Sequence, residues 1–130
     1  MAVKEETKIT RAVIAQIKEL GGDGFHVHGS ALQRGGEPDI TGEIKLELVG
    51  WIHMKVEVKT PEGEPTERQL YRLRHYWEAG YLVGIVTSVS EFMKLLRNYQ
   101  VWRVANQPAF PFTKYGNPYT EDIHRAKHNS

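Results

Sequence analysis

The chain has no cysteine in its 130 residues. That excludes a disulfide scaffold and any zinc site built on thiolates. It has no run of about 18 apolar residues, so no membrane span is expected. The first residues, Met1-Ala2-Val3-Lys4-Glu5-Glu6, lack the basic-then-apolar pattern of a signal peptide. A cytoplasmic setting is therefore expected. Net charge is only +1, so a global basic footprint is missing. A nucleic-acid partner would have to be held by a local patch. No internal repeat or low-complexity tract is visible.

What is present suits one small soluble domain. With 40% hydrophobic and 25% charged residues, the chain can bury a core and stay soluble. Ile9, Val13, Ile14, Ile17 and Leu20 recur at helical spacing, with Glu5 and Glu6 near the favoured N-terminal end and Gly21-Gly22 as the stop. Phe25 to His28 alternates like a short strand. Ile40 to Val49, with Ile44, Leu46 and Leu48 on one parity, and Trp51 to Lys59 read as two longer strands about a turn at Gly50. Thr66 to Ala79 predicts a helix with Leu70, Leu73 and Trp77 inward and Gly80 as the stop. Tyr81 to Thr87 fits a buried strand. Ser88-Val89-Ser90-Glu91 has the form of a capping box and opens a helix with Phe92, Leu95, Leu96 and Tyr99 inward. The order αβββαβα predicts an α/β fold, a mixed sheet flanked by helices. Residues 1–107 make the domain, and 108–130 an irregular C-terminal segment of the same domain.

The chemistry sits at Pro38-Asp39 and, eighteen residues on, at Glu57-Val58-Lys59. In a strand, residues two apart share a face. Val56 and Val58 would face the core, leaving Glu57 and Lys59 side by side on the other face. If the strands about Gly50 pair antiparallel, Asp39 returns beside them. Pro38 holds Glu37 extended and so fixes the approach to Asp39. Asp39, Glu57 and the carbonyl of Val58 would offer hard oxygen ligands for Mg²⁺ or Mn²⁺. Lys59 would orient a water, help deprotonate it or stabilise developing charge.

The E-x-K triplet alone is weak evidence, because the chain contains three. Glu6-Thr7-Lys8 lies on a helix, where i and i+2 diverge. Glu43-Ile44-Lys45 shares a strand with Asp39, so those groups string out in a row. Only Glu57-Val58-Lys59 has an apolar strand around it, Pro-Asp at hairpin distance and a helix after it.

These residues resemble the PD-(D/E)XK nuclease superfamily, and within it the stand-alone VRR-NUC nucleases of phages and bacteria. The resemblance is carried by Glu6, Gly35-Gly36-Glu37-Pro38-Asp39-Ile40, Val56-Glu57-Val58-Lys59-Thr60-Pro61, Gly63, Gln69, and Gly80 with the strand after it. It covers about residues 5 to 90. It implies a restriction-endonuclease-like fold and a nuclease domain over residues 1–107. It also implies metal-dependent phosphodiester cleavage of branched DNA such as a Holliday junction, by a homodimer. A phage-encoded chain would act in the host cytoplasm. Asp39, Glu57 and Lys59 carry over as catalytic, and Gln69 as a site residue. Glu6 carries over as a further metal ligand, with Glu5 competing for that position.

Plainer readings stand beside these. Glu57 and Lys59 could be a solvated strand face. Thr66-Glu67-Arg68-Gln69 is a capping box, which explains Gln69 without chemistry. Arg68, Arg72 and His75 form a basic stripe that suits phosphate contacts or plain solvent. Arg34 and Gln33 precede Pro38-Asp39 and could touch DNA. His26 and His28 share a strand face but lack a third ligand for zinc. His124 and His128 fit a mobile tail. Two rival functions remain: a non-catalytic nucleic-acid-binding module, and a structural subunit of the same fold that uses Pro108 to Tyr119 as a hook.

Overall fold

The structure, a computed structural model, describes residues 2–27 and 35–105. Expectations for His28, Gln33, Arg34, His124, His128 and the 108–130 segment lie outside the described residues.

Helix α1 spans Ala2–Glu19. Its apolar stripe faces the core, with Val13 and Ile17 fully buried. Thr10 is also buried there, and its hydroxyl donates to the Glu6 carbonyl at 2.8 Å. Leu20, expected at the end of the stripe, falls past the last turn and is exposed. Strand β1 covers Asp23–His26, two residues earlier than the alternation suggested, and Phe25 points to solvent.

Strands β2 (Ile40–Leu46) and β3 (Gly50–Val58) pair antiparallel from Leu46↔Gly50 to Ile40↔Val56. The expected hairpin is present, but β2 stops three residues short of Val49. Residues 47–49 form the turn, closed by the Val49 N–H donating to the Leu46 carbonyl at 3.2 Å. Gly50 leaves the turn with φ of 93°, a conformation that favours glycine. Leu48, whose parity suggested the core, sits in this turn and is exposed.

Helix α2 (Glu67–Glu78) carries the chain back so that β4 (Leu82–Val86) pairs parallel with β3. Parallel neighbours need such a crossover. Helix α3 (Val89–Val104) starts at Ser88, whose hydroxyl accepts from the Glu91 N–H. Phe92, Leu95, Leu96 and Tyr99 face inward as the spacing predicts.

The sheet order is β1-β2-β3-β4, with β1 antiparallel to β2. The chain is thus α/β, with a four-stranded mixed sheet and three helices. Helices α1 and α3 cover one face. There Ile52, Met54, Val56 and Val58 of β3 join Ile40, Ile44, Leu82, Val86 and the two helices in one core. Helix α2 lies on the other face against β4.

Candidate active site

The site forms where the β2–β3 ladder runs out. The last paired residues are Ile40 and Val56, so Asp39 and Glu57 lie one step beyond, side by side. At that point the Val58 N–H has no strand partner on the β2 side. The Asp39 side chain takes its place: its Oδ2 accepts from the Val58 N–H at 2.8 Å. The Asp39 carbonyl accepts from the Val27 N–H at 2.7 Å. Asp39 is therefore tied through its backbone to the end of β1 and through its side chain to β3. A residue's N–H and C=O lie on the same side of a strand, so the Val58 carbonyl is turned the same way as its N–H, toward Asp39.

Glu57 is only 1% exposed although it is a carboxylate. Its Oε2 lies 3.5 Å from the Lys59 ammonium, which is itself largely buried. Glu57 and Lys59 thus share a face, as strand periodicity requires, and the solvated-face reading fails for Glu57. Its other oxygen, Oε1, is buried with no hydrogen-bond partner. Burial pushes the Glu57 carboxyl up to about 8, the nearby Asp39 carboxylate adds to the rise, and Lys59 opposes it. With both carboxyls ionised, one ammonium would leave this corner of the molecule short of positive charge, so Glu57 holds its proton to higher pH.

Gln69 sits in the first turn of α2. Its side-chain oxygen accepts from the Thr66 N–H at 2.9 Å, while its own N–H donates to the Thr66 hydroxyl at 3.1 Å. The complete capping box defines where α2 begins. The side-chain oxygen of Gln69 is thus spent on the helix start.

Glu6 lies half-buried near the start of α1. Among the described residues no group of three Asp, Glu or His side chains converges on a common point, so Glu6 does not join Asp39 and Glu57. A helix residue's direction depends on the packing of the whole helix, which the E-x-K spacing does not encode.

The basic stripe is also revised. Arg68 is exposed, as a phosphate contact requires. Arg72 is not: it is buried against Glu37, with its Nε donating to Glu37 Oε1 at 2.9 Å. Its charge is therefore committed inside the protein, which corrects the expectation that it faces DNA. Tyr76 completes the cluster, its hydroxyl donating to Glu37 Oε2 at 2.8 Å. Burial pushes the Glu37 carboxyl up, but the hydrogen bonds from Tyr76 and Arg72 outweigh it and hold the group below its usual range. Lys55, on the same face as Glu57, donates to the Thr41 hydroxyl and lies 4.6 Å over the Tyr76 ring. Burial lowers the Lys55 ammonium, and Glu37 partly restores it.

Sequence reasoning assigned no role to Glu37. The available signal was its place two residues before Asp39, with an arginine on the following helix.

A charged cluster thus stands at the end of a mixed sheet flanked by helices. Solved structures share this fold. One solved chain described as "VRR_NUC domain" is 25% identical, with a TM-score of 0.58, covering 73% of this chain and 97% of that one. A second, "VRR_NUC domain protein", is 14% identical with a TM-score of 0.54, covering 72% and 86%. At that identity the second speaks for the fold alone. No family model and no curated protein matches the sequence. The first neighbour supports a VRR-NUC assignment, with which the PD-(D/E)XK superfamily is consistent. Among the described residues no helix is long and apolar enough to cross a membrane.

Proposed function

We propose that this protein is a Mg²⁺- or Mn²⁺-dependent endodeoxyribonuclease that hydrolyses phosphodiester bonds in branched, Holliday-junction-like DNA. It would work in the cytoplasm as a homodimer. The observation that carries the reading is the convergence of Asp39, buried Glu57 and Lys59 at the open end of the hairpin.

The donor set fits a hard divalent cation. Glu57 Oε1 is a buried oxygen without a partner, and the paired carboxylates favour a positive charge between them. Asp39, Glu57 and the Val58 carbonyl would hold the ion. When bound, such an ion lowers the pKa of its water and offsets charge on a phosphoryl oxygen.

The protein's own groups supply the rest. Lys59 is held by Glu57 at 3.5 Å, so its ammonium reaches the site already oriented. It would position the attacking water and counter the charge that grows on the phosphate. The Val58 N–H fixes the rotamer of Asp39. The capping box sets the first turn of α2, and with it Gln69, relative to β3. Arg68 would meet a phosphate away from the cut.

Junction, flap, single-stranded and duplex DNA should be incubated with and without Mn²⁺. Junction cleavage that requires Mn²⁺ is expected, with a loss of about 10²-fold or more in Lys59→Ala. Cleavage that survives the substitution would sink the assignment of Lys59. Binding without metal and without cleavage would favour a DNA-binding module of the same fold.

A further inference from the structure

We propose that Glu37, Arg72 and Tyr76 are positioning residues for Asp39, docking the segment before it onto α2 so that its carboxylate is preset for the metal. The inference rests on the nuclease reading above and deepens it.

The first observation is completeness. Both oxygens of Glu37 are engaged, Oε1 by the Arg72 guanidinium and Oε2 by the Tyr76 hydroxyl. Arg72 and Glu37 are both largely shielded from water. A buried ion pair is a poor source of stability, because apolar residues of similar size often do as well or better. Its presence here therefore calls for a geometric role. The second observation is connectivity. Only Pro38 separates Glu37 from Asp39, and its ring removes one soft torsion from the link. The third is close docking. Gly36 has φ of 84°, and a Cβ there would lie 2.8 Å from the Arg68 carbonyl oxygen of α2. The segment is thus seated directly on the helix that follows the catalytic strand.

Asp39 is consequently held from three directions, one of them the bond from the Val27 N–H to its carbonyl. The Val58 N–H grips its carboxylate from β3, and the Glu37 anchor fixes its backbone to α2. Release of the anchor would leave Asp39 held by its carboxylate bond to the Val58 N–H and its carbonyl bond to the Val27 N–H, with the segment before it no longer seated on α2.

The test uses the full chain and Mn²⁺ calorimetry, with thermal unfolding measured in parallel. Glu37→Leu alone strands a buried guanidinium and should lower Tm. The double variant Glu37→Leu/Arg72→Met removes both charges and should recover most of that Tm. Its Mn²⁺ affinity should nevertheless stay weakened by about 10-fold or more, in the range lost when groups supporting metal ligands are removed. Tyr76→Phe removes a single hydrogen bond and should weaken Mn²⁺ binding a few-fold with Tm little changed. Affinity that recovers together with Tm in the double variant would overturn the proposal. If the double variant does not fold, unchanged Mn²⁺ affinity in Tyr76→Phe overturns it instead. A wild-type chain that takes up no Mn²⁺ sinks the nuclease reading and this inference with it. A wild type that binds, beside a double variant that binds equally well, sinks this inference alone.

Discussion

The two faces of the sheet are built from alternate residues of the same strands, yet they obey different rules. Under α1 and α3, β3 contributes Ile52, Met54, Val56 and Val58, all buried among other apolar groups. Under α2 and at its edge, the intervening residues are Trp51, His53, Lys55 and Glu57, three of them polar. The first face gains free energy by removing hydrocarbon from water. The second buries a carboxylate and a guanidinium, which costs free energy unless each finds a partner. Arg72 and Glu37 find one. Glu57 finds only half of one, since Oε1 has no hydrogen bond. An energetically poor position beside a well-packed core is what the proposed cation site would leave behind.

The sharpest way to break the contrast is to damage the packed face. Phe92 is fully buried between α3 and the sheet. Phe92→Ala should cost about 3–5 kcal/mol of stability, read by denaturant unfolding. Cleavage per folded molecule should change little, because no catalytic group touches that face. A large loss of activity at full folding would mean that the two faces are coupled.

The next experiment works in the opposite direction. Glu57 titrates near 4.5 in an unfolded chain but near 8 when buried here. Between those values the folded state keeps a proton that the unfolded state releases. The contribution of Glu57 to stability is therefore fully present below about pH 4.5 and is lost as pH rises through about 8. Glu57→Gln stays neutral throughout. The metal-free variant should melt several degrees above wild type at pH 8.5, with the gap closing by pH 4.5, while cleavage is lost. Met54→Ala, three residues earlier on the opposite face, should instead lower Tm at every pH. Equal melting of wild type and Glu57→Gln at both pH values would remove the idea of a strained carboxylate.

How far the sequence could lead follows the same division. Period-2 alternation in Ile52 to Val58 was enough to assign the apolar face and to set Glu57 beside Lys59. A ladder ending at Ile40↔Val56 then brought Asp39 to them. These are local rules, each readable within one strand or one hairpin. Leu48 misled because strand parity does not mark where a strand stops; the turn was set by three residues before Gly50. Arg72 misled because a helical stripe has no label for which side meets water. Its fate depended on Glu37, 35 positions away and on another element. Glu6 raised the same difficulty, since its reach depends on how α1 packs. The charge relations that give the site its character are long-range, and no sequence window contains them.

Gln69 lies where the local and long-range readings overlap, and the smallest expected effect separates them. Thr66 and Gln69 contribute the two halves of one capping box, so removing either should cost about 1 kcal/mol of stability. If Gln69 serves only the cap, Thr66→Ala and Gln69→Ala should lower Tm alike and reduce cleavage alike. If Gln69 also positions groups at the site, Gln69→Ala should lose several-fold more cleavage at matched stability, with the excess in kcat and not in DNA affinity. The comparison has its own control, because both substitutions shorten the same helix at the same end. Any difference between them therefore belongs to the Gln69 side chain and not to the placement of α2.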